Sequence, residues 1–386
     1  MTIDRTAVPR LPTVSLATVA RAWGRIGCIG FGGPPTHIAL LRELCVERSG
    51  WLEPAEFEDA VASCNLLPGP ASTQLSILCA WRVRGPAGAL VGGLCFIVPG
   101  LVVILALAAL FLDGDPPTWI RGAGAGAGAA VAAVAVHAAA GLVPASWERA
   151  PRRARWLAYV AGGALAAAFL GPFVVLVLIA CGIAEILTRR LSAGTPTASL
   201  SVLPLTALVS ATPALVWVSF KVGALSYGGG FVIVPLMQSD AVSVHHWMTS
   251  GQFLNAVALG QITPGPVTHT VAVVGYAAGG VAGGLLAAVV AFSPSFAFVL
   301  VGARHFDRLR RSARVRAFLD GAGPAAIGSI LGASIPLARA LQHGWQVGVL
   351  VAALASLLVL RRGVLATLLA AALVGAALAL LGAGTA

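Results

Sequence analysis

The sequence predicts an all-α polytopic membrane protein made of two inverted-topology repeats whose helices are broken by glycine and proline, with about 13 spans. Three observations predict this class. Of 386 residues, 58% are hydrophobic and 10% charged, with a mean hydropathy of +0.90, which leaves too few polar side chains to cover a soluble globule of this size. The segment Leu67-Pro68-Gly69-Pro70-Ala71-Ser72-Thr73-Gln74 returns as Thr263-Pro264-Gly265-Pro266-Val267-Thr268-His269-Thr270, at an offset of 264 − 68 = 196. The arginines collect in short clusters between apolar runs and so assign a direction to each run.

The offset extends beyond the P-G-P pair. It carries Gly32-Gly33 onto Gly228-Gly229, Phe31 onto Tyr227, Trp51 onto Trp247, Phe57 onto Phe253 and Phe96 onto Phe292, with no insertion or deletion expected between them. One unit is written twice. Residues 1–190 form the first repeat, 191–215 a linker with an extra span, and 216–386 the second repeat, inverted.

The spans follow from length and the sidedness from Arg and Lys. Arg5 and Arg10 hold the start in the cytoplasm, and no removable leader is expected because the first apolar run carries Arg21 and Arg25. A first span covers about Thr13 to Phe31, and the acidic stretch Glu43 to Asp59 reads as external. A second span, Phe57 to Trp81, contains the P-G-P break and ends inside at Arg82 and Arg84. Pro86 to Leu112 runs outward, Trp119 to Leu142 returns to Arg149–Arg155, and Trp156 to Thr188 makes two short crossings about Gly171-Pro172. In the second unit Val281 to Gly302 ends at an arginine cluster, so it runs inward where its counterpart runs outward. The repeats therefore oppose each other, and the linker run Leu200 to Ala214 must cross. Phe318 to Leu341, Trp345 to Leu360 and Val364 to Leu381 complete the chain.

Inverted repeats with helices interrupted at matching places point to a secondary transporter with its site near the bilayer midplane. Proline cannot donate its backbone hydrogen bond and glycine adopts conformations other residues resist, so P-G-P unwinds a helix inside the lipid. Such backbone is tolerated there only against protein or a watery cavity. Helices restarting after Pro70 and Pro266 offer free N–H groups to an anion. Ser72, Thr73, Gln74, Thr268 and His269 follow the breaks; Asn65, Gln261 and Thr263 precede Pro68-Gly69-Pro70 and Pro264-Gly265-Pro266. These are donors suited to oxyanion oxygens. The alternative is a packing kink whose hydroxyls bond back to their own helix. Gly32, Gly33, Gly228 and Gly229 form a second pair of breaks apposed to the first.

Arg25 and Lys221 are equivalent under the offset, and each lies in an apolar span just before a break. An ionisable residue in a span is a functional hypothesis, so removing either cation is expected to abolish anion binding; the competing reading is snorkelling to the interface. His37 and Asp240 are candidates for proton coupling, and Asp240 or Glu43 could instead pair with Arg25 or Lys221. Glu185 and His137 are weaker candidates. The formal charge of +11 does not indicate nucleic acid, because no basic domain with interleaved aromatics is present. The six cysteines sit singly and the histidines lack ligand spacing, so neither metal nor cofactor is expected. Carboxylates number few and none pair at catalytic spacing within a span, which argues against an enzyme.

Gly30-Phe31-Gly32-Gly33-Pro34 with His37-Ile38-Ala39-Leu40, then Leu67-Pro68-Gly69-Pro70 with Ser72-Thr73-Gln74, resemble the paired signatures of the chromate ion transporter (CHR) family. Tyr227-Gly228-Gly229-Gly230 with Pro235-Leu236, and Gly260-Gln261-Ile262-Thr263-Pro264-Gly265-Pro266 with Gly275-Tyr276, resemble its second-domain version. The resemblance covers roughly Arg21 to Phe111 and Val216 to Phe306. It implies export of chromate across the inner (plasma) membrane by a multi-pass protein, chromate resistance, drive from the proton-motive force, and two homologous domains of opposite orientation; a homodimer is compatible with it. Tyr227, His269 and Cys79-Ala80 depart from the family pattern. Sulfate or another tetrahedral oxyanion is the alternative substrate.

Overall fold

The structure is a computed structural model that describes residues 14–64, 69–112, 116–170, 174–191, 211–226, 231–302 and 312–382. Among these the chain is helical with no strand. In the first repeat α1 is Leu16–Ile29, α2 Pro34–Arg42 continuing through a π-helical turn Glu43–Arg48, α3 Pro54–Cys64, α4 Ala71–Leu112, α5 Thr118–Glu148, α6 Arg153–Leu165 with a π turn Ala166–Leu170, and α7 Val174–Leu191. The second contains α8 Ala211–Leu225, α9 Val234–Gln238 followed by the π turn Ser239–Val244, α10 Ser250–Ile262, α11 Thr270–Gly302, α12 Ala313–Arg339, α13 Gly344–Leu354 with the π turn Ala355–Val359, and α14 Val364–Leu380. Among the described residues the order of α-helices and π turns is the same in both, and the second adds 3-10 turns at Phe231–Ile233 and Val267–His269. Four stretches, Ala71–Leu112, Thr118–Glu148, Val267–Gly302 and Ala313–Arg339, are long and apolar enough to cross a membrane, and the chain is an all-α membrane protein.

Helix α4 is two arms folded against each other. Arg84 (φ −143°) and Gly85 (φ 65°) leave helical geometry, and a Cβ on Gly92 would lie 2.5 Å from that of Ala80. In a straight helix those residues would be about 18 Å apart. Helix α11 reverses in the same way at Gly279 and Gly280 (φ 62°). Because Gly280 answers Gly85 at 280 − 85 = 195, the register slips by one residue within the first arm, which corrects the expectation of an uninterrupted offset. Packing agrees: Gly88 meets the Ala80 carbonyl as Gly283 meets that of Gly275, and Gly27 meets the backbone at Phe96 as Gly223 meets that at Ala291. Ala80 therefore corresponds to Gly275, and Phe96 to Ala291 rather than Phe292.

A second correction concerns the expected span from Phe57 to Trp81. Arg82, at the end of the first arm of α4, donates to the carbonyl of Glu56 in the first turn of α3. The two helices thus run in opposite directions with their outer ends together, and the segment is a re-entrant hairpin with Gly69-Pro70 near its tip. Glu43 to Asp59 consequently lies on the same side as Arg82 and Arg84, where Arg42 pairs with Glu47 and Glu58. Charge sign alone had placed them on opposite sides. Part of the linker expected to cross, 192–210, lies outside the described residues.

Trp23, fully buried, donates from Nε1 to the Ser76 carbonyl at 2.9 Å and stacks on Trp51 at 6.0 Å, fixing α1 to the first arm of α4 and to the connection that precedes α3. The long second arms of α4 and α11 pack side by side: Gly93 faces Phe296 and Leu105 faces Gly284, so these equivalent helices run antiparallel. Farther out, partners are exchanged between repeats. Helix α5 packs on α13 and α14, and α12 packs on α6 and α7. Close approach there depends on glycine, since a Cβ on Gly126 would lie 2.1 Å from the Ala371 carbonyl and one on Gly328 would lie 1.9 Å from that of Val160.

Glycines at the turn and at the contact separate two costs. Gly85→Ala meets open space and is expected to lose only the left-handed backbone penalty, about 1–2 kcal/mol. Gly328→Ala must displace the Val160 backbone and is expected to cost about 3 kcal/mol or more. Thermal unfolding of the two variants in detergent checks the order.

Candidate functional site

The site forms where the breaks of the two repeats meet. The Gly69 N–H donates to the Ser226 carbonyl at 2.7 Å, and the Gly265 N–H donates to the Gly30 carbonyl at 2.9 Å. Gly69 and Gly265 are equivalent, as are Gly30 and Ser226, so each P-G-P tip is bound to the end of the other repeat's opening helix. Both tip glycines have positive φ, 115° and 92°, which an L side chain rarely adopts. Room for the second tip comes from Gly100 in α4, where a Cβ would lie 2.0 Å from the Pro264 carbonyl.

The Gly30 carbonyl accepts a second hydrogen bond, from His37 Nε2 at 2.9 Å. A carbonyl only accepts, so Nε2 carries a proton, and in the neutral ring Nδ1 accepts from the Ser72 hydroxyl at 3.2 Å. His37 is fully buried and edge-on to Phe96 at 5.0 Å. Ser72 stands in the first turn of α4, so one imidazole joins the break after α1 to the restart after Pro70. His269, also fully buried, lies edge-on to Phe292 at 5.3 Å and beside the Ile97 carbonyl, with neither ring nitrogen in hydrogen-bond geometry to a described residue. A charge on His37 would oppose one on His269.

The hydroxyls divide into two groups. Thr263 Oγ1 donates to the Leu259 carbonyl at 2.9 Å and Thr270 Oγ1 to that of Val267 at 2.8 Å, the back-bonding of an ordinary kink. Thr73 Oγ1, Thr268 Oγ1 and Gln261 Nε2 are buried without a partner among the described residues. A buried polar atom left unpaired costs about 1–3 kcal/mol, so these atoms beside two helix starts are candidate donors for a ligand that accepts hydrogen bonds. Gln74 packs its amide against Gly69. Pro70, Pro264 and Pro266 bracket the tips and are buried. Gly33 faces Val267 across the junction, whereas Gly32 is exposed. Asn65, Pro68, Gly228 and Gly229 lie outside the described residues.

The expected pair of converging cations is not assembled. Arg25 lies on the exposed face of α1, away from the buried junction. Lys221 Nζ is 2.7 Å from Asp240 Oδ2 and 5.8 Å from the Trp217 ring centre, so its charge is already matched. Donors at the junction are therefore N–H dipoles and hydroxyls. Glu43 is exposed. Glu185 is 2% exposed and is held by Arg155 at 3.3 Å, Arg189 at 2.9 Å and Tyr159, while Arg189 continues to Asp320 of α12 at 2.7 Å. That network ties the two repeats together at one end.

Four buried hydroxyls were missed from the sequence: Ser76, Ser219, Ser226 and Ser295, each unpartnered among the described residues. Ser226 was findable, because it holds Gly30's place directly before the second break, and Ser295 stands where the first repeat has Gly100.

The profile of the chromate transporter family matches residues 17–186 and 213–377. A chromate transport protein of Cupriavidus metallidurans is 30% identical over 351 residues, 86% of this chain and 85% of that protein. A probable chromate transport protein of Synechococcus elongatus is 28% identical over 350 residues, 86% and 87% of the two chains. A chromate transport protein of Pseudomonas aeruginosa is 29% identical over 355 residues, 86% and 83%. No solved structure matches the chain.

Two substitutions test the roles of the cations. Arg25→Ala is expected to change oxyanion affinity by no more than about twofold, as for an exposed charge. Lys221→Ala strands a buried carboxylate and is expected to cost roughly 3–5 kcal/mol of stability. Titration calorimetry and thermal unfolding of the purified variants read the two effects separately.

Proposed function

Since the chain belongs to the chromate transporter family, we propose that it is a secondary transporter exporting chromate across the plasma membrane through two inverted repeats, and that it confers chromate resistance. The observation that carries this reading is the reciprocal pair of bonds, Gly69 to Ser226 and Gly265 to Gly30, which brings two buried helix starts to one junction. Both starts offer N–H groups of positive character to a doubly negative ligand. Binding by dipoles and hydroxyls neutralises the anion without a fixed countercharge that would hold it in place. The antiparallel packing of the second arms of α4 and α11 supports the inverted arrangement and, with it, alternating access. Direction and drive are those the family resemblance implies, outward and coupled to protons. His37, bonded at the junction, and Asp240, paired with Lys221, are the coupling candidates.

The orientation follows from Arg82 and Arg84. They put the outer ends of α3 and the first arm of α4 in the cytoplasm, and the equivalent hairpin of α10 and α11 then opens outside. Sulfate is the second reading, because hydroxyl and N–H donors suit any tetrahedral dianion of that size.

In proteoliposomes, labelled chromate is expected to show counterflow and to move faster with an imposed pH gradient. Sulfate counterflow without chromate counterflow selects the second reading, and absence of uphill flux under every gradient means a passive channel. For orientation, Glu56→Cys and Thr249→Cys should react with an impermeant thiol reagent from opposite faces of the membrane. Labelling of both from one face rules out the inversion.

A further inference from the structure

Two imidazoles flank the Gly265 tip. His37 donates to the same Gly30 carbonyl that receives the Gly265 N–H, and a Cβ on Gly265 would lie 2.9 Å from Cε1 of His269. The rings come from opposite repeats, His37 from α2 and His269 from the 3-10 turn Val267–His269 that precedes α11. At the Gly69 tip the equivalent positions are Ile233 (233 − 37 = 196) and Thr73 (269 − 73 = 196), so the duplication has not repeated the pair. The two rings are also unequally engaged. His37 has both nitrogens in use, on Gly30 and Ser72. His269 is fully buried beside the Ile97 carbonyl, with neither nitrogen in hydrogen-bond geometry to a described residue.

A neutral imidazole donates from one nitrogen and only accepts at the other, whereas carbonyl and oxyanion oxygens only accept. A neutral His269 can therefore bond a fully ionised tetrahedral anion through one nitrogen at most, and through neither if that hydrogen turns to Ile97. The bare nitrogen is satisfied by one added proton. Placed on the ring, that proton makes both nitrogens donors; placed on the anion, it gives an O–H that bonds the bare nitrogen, and the complex is the same. Charges on the surrounding helices are directed elsewhere. Arg21 and Arg25 of α1 are exposed, as are Glu43, Glu47 and Arg48 of the π turn after α2, and Arg42 pairs with Glu47 and Glu58. Arg82 and Arg84 stand at the outer end of the first hairpin, Lys221 of α8 is held by Asp240, and α10 carries no charge. Residues 65–68 and 227–230, outside the described residues, are Asn-Leu-Leu-Pro and Tyr-Gly-Gly-Gly. The phenols of Tyr227 and Tyr276 and the thiols of α1 and α4 are neutral near about pH 7. His37 is thus the charge that His269 meets, and because the two oppose each other the pair accepts one proton rather than two.

We propose that the junction takes its tetrahedral oxyanion together with one proton, and that His269 is the residue that holds it. The identity of the anion rests on the transport reading above. The proton enters from water on the side from which the anion binds and leaves with it, returning the ring to its neutral form. A dianion accompanied by one proton crosses as a single net negative charge, so its movement answers to the membrane potential as well as to a pH gradient.

Calorimetry of molybdate binding to the purified full chain, in two buffers of different ionisation enthalpy at one pH, counts the protons taken up. Molybdate carries no proton in solution near neutrality, so every proton counted enters on binding. Uptake of about one proton per anion is expected, with affinity falling about tenfold for each unit rise in pH. His269→Gln keeps a donor and an acceptor but cannot titrate, and His269→Thr copies Thr73 of the first repeat. Both should reduce uptake to about zero and leave affinity level with pH, while His37→Gln should retain uptake. Binding without uptake in the unaltered chain keeps the oxyanion site and overturns the proposal. Uptake that persists in both His269 variants, or that is lost in His37→Gln instead, also overturns it. Absence of binding by molybdate, sulfate and chromate alike rejects the transport reading itself, and the proposal with it.

Discussion

Backbone amides and carbonyls inside a bilayer have no water to bond, and that constraint decides how this protein is assembled. Each P-G-P tip exposes groups that its own helix cannot satisfy. The solution is mutual: Gly69 is completed by Ser226 of the other repeat, and Gly265 by Gly30. Neither repeat can close its own break, so the pairing of the two halves and the existence of the site are one requirement. The same bonds bring His37 and Ser72 to the boundary between repeats.

Outside the junction, glycine takes over the work of association. Lipid gives apolar side chains little reason to leave it, so helices in a membrane adhere through close contact of backbone and small residues. Gly122 and Gly126 against α14, and Gly321, Gly328 and Gly332 against α6 and α7, are contacts of this kind. Since α5 and α12 each lie among the terminal helices of the opposite repeat, the halves are interlocked rather than merely apposed. The Glu185, Arg189 and Asp320 network strengthens one of the two interlocks with charge.

Much of this is legible in the sequence. The P-G-P pair around Gly69 and Gly265 announces both the broken helices and the repeat, whereas single prolines such as Pro99 and Pro144 sit inside continuing helices. Less was legible where two arrangements share one pattern. A run such as Phe57 to Trp81 has the length and apolarity of a crossing whether it passes through or turns back, and only the Arg82 to Glu56 contact separates the two. The one-residue slip was hidden because Phe96 and Phe292 happen to match at the wrong offset. Arg25 and Lys221 share a position but not an environment, because Asp240 supplies a buried partner where the first repeat has Leu44. The missed serines have a different cause: in most apolar helices such hydroxyls bond to the preceding turn, and nothing in composition marks the ones that do not.

The Lys221 and Asp240 pair has a consequence for the working cycle. A carrier made of two identical opposed halves would have inward-open and outward-open forms related by symmetry and equal in free energy. This chain breaks that degeneracy at several places, with an ion pair in one half only, Ile233 opposite His37, and Thr73 opposite His269. Under the proposed carrier reading, the idle protein would therefore rest with an intrinsic lean toward one face, and a driving gradient would begin its stroke from that off-centre starting point.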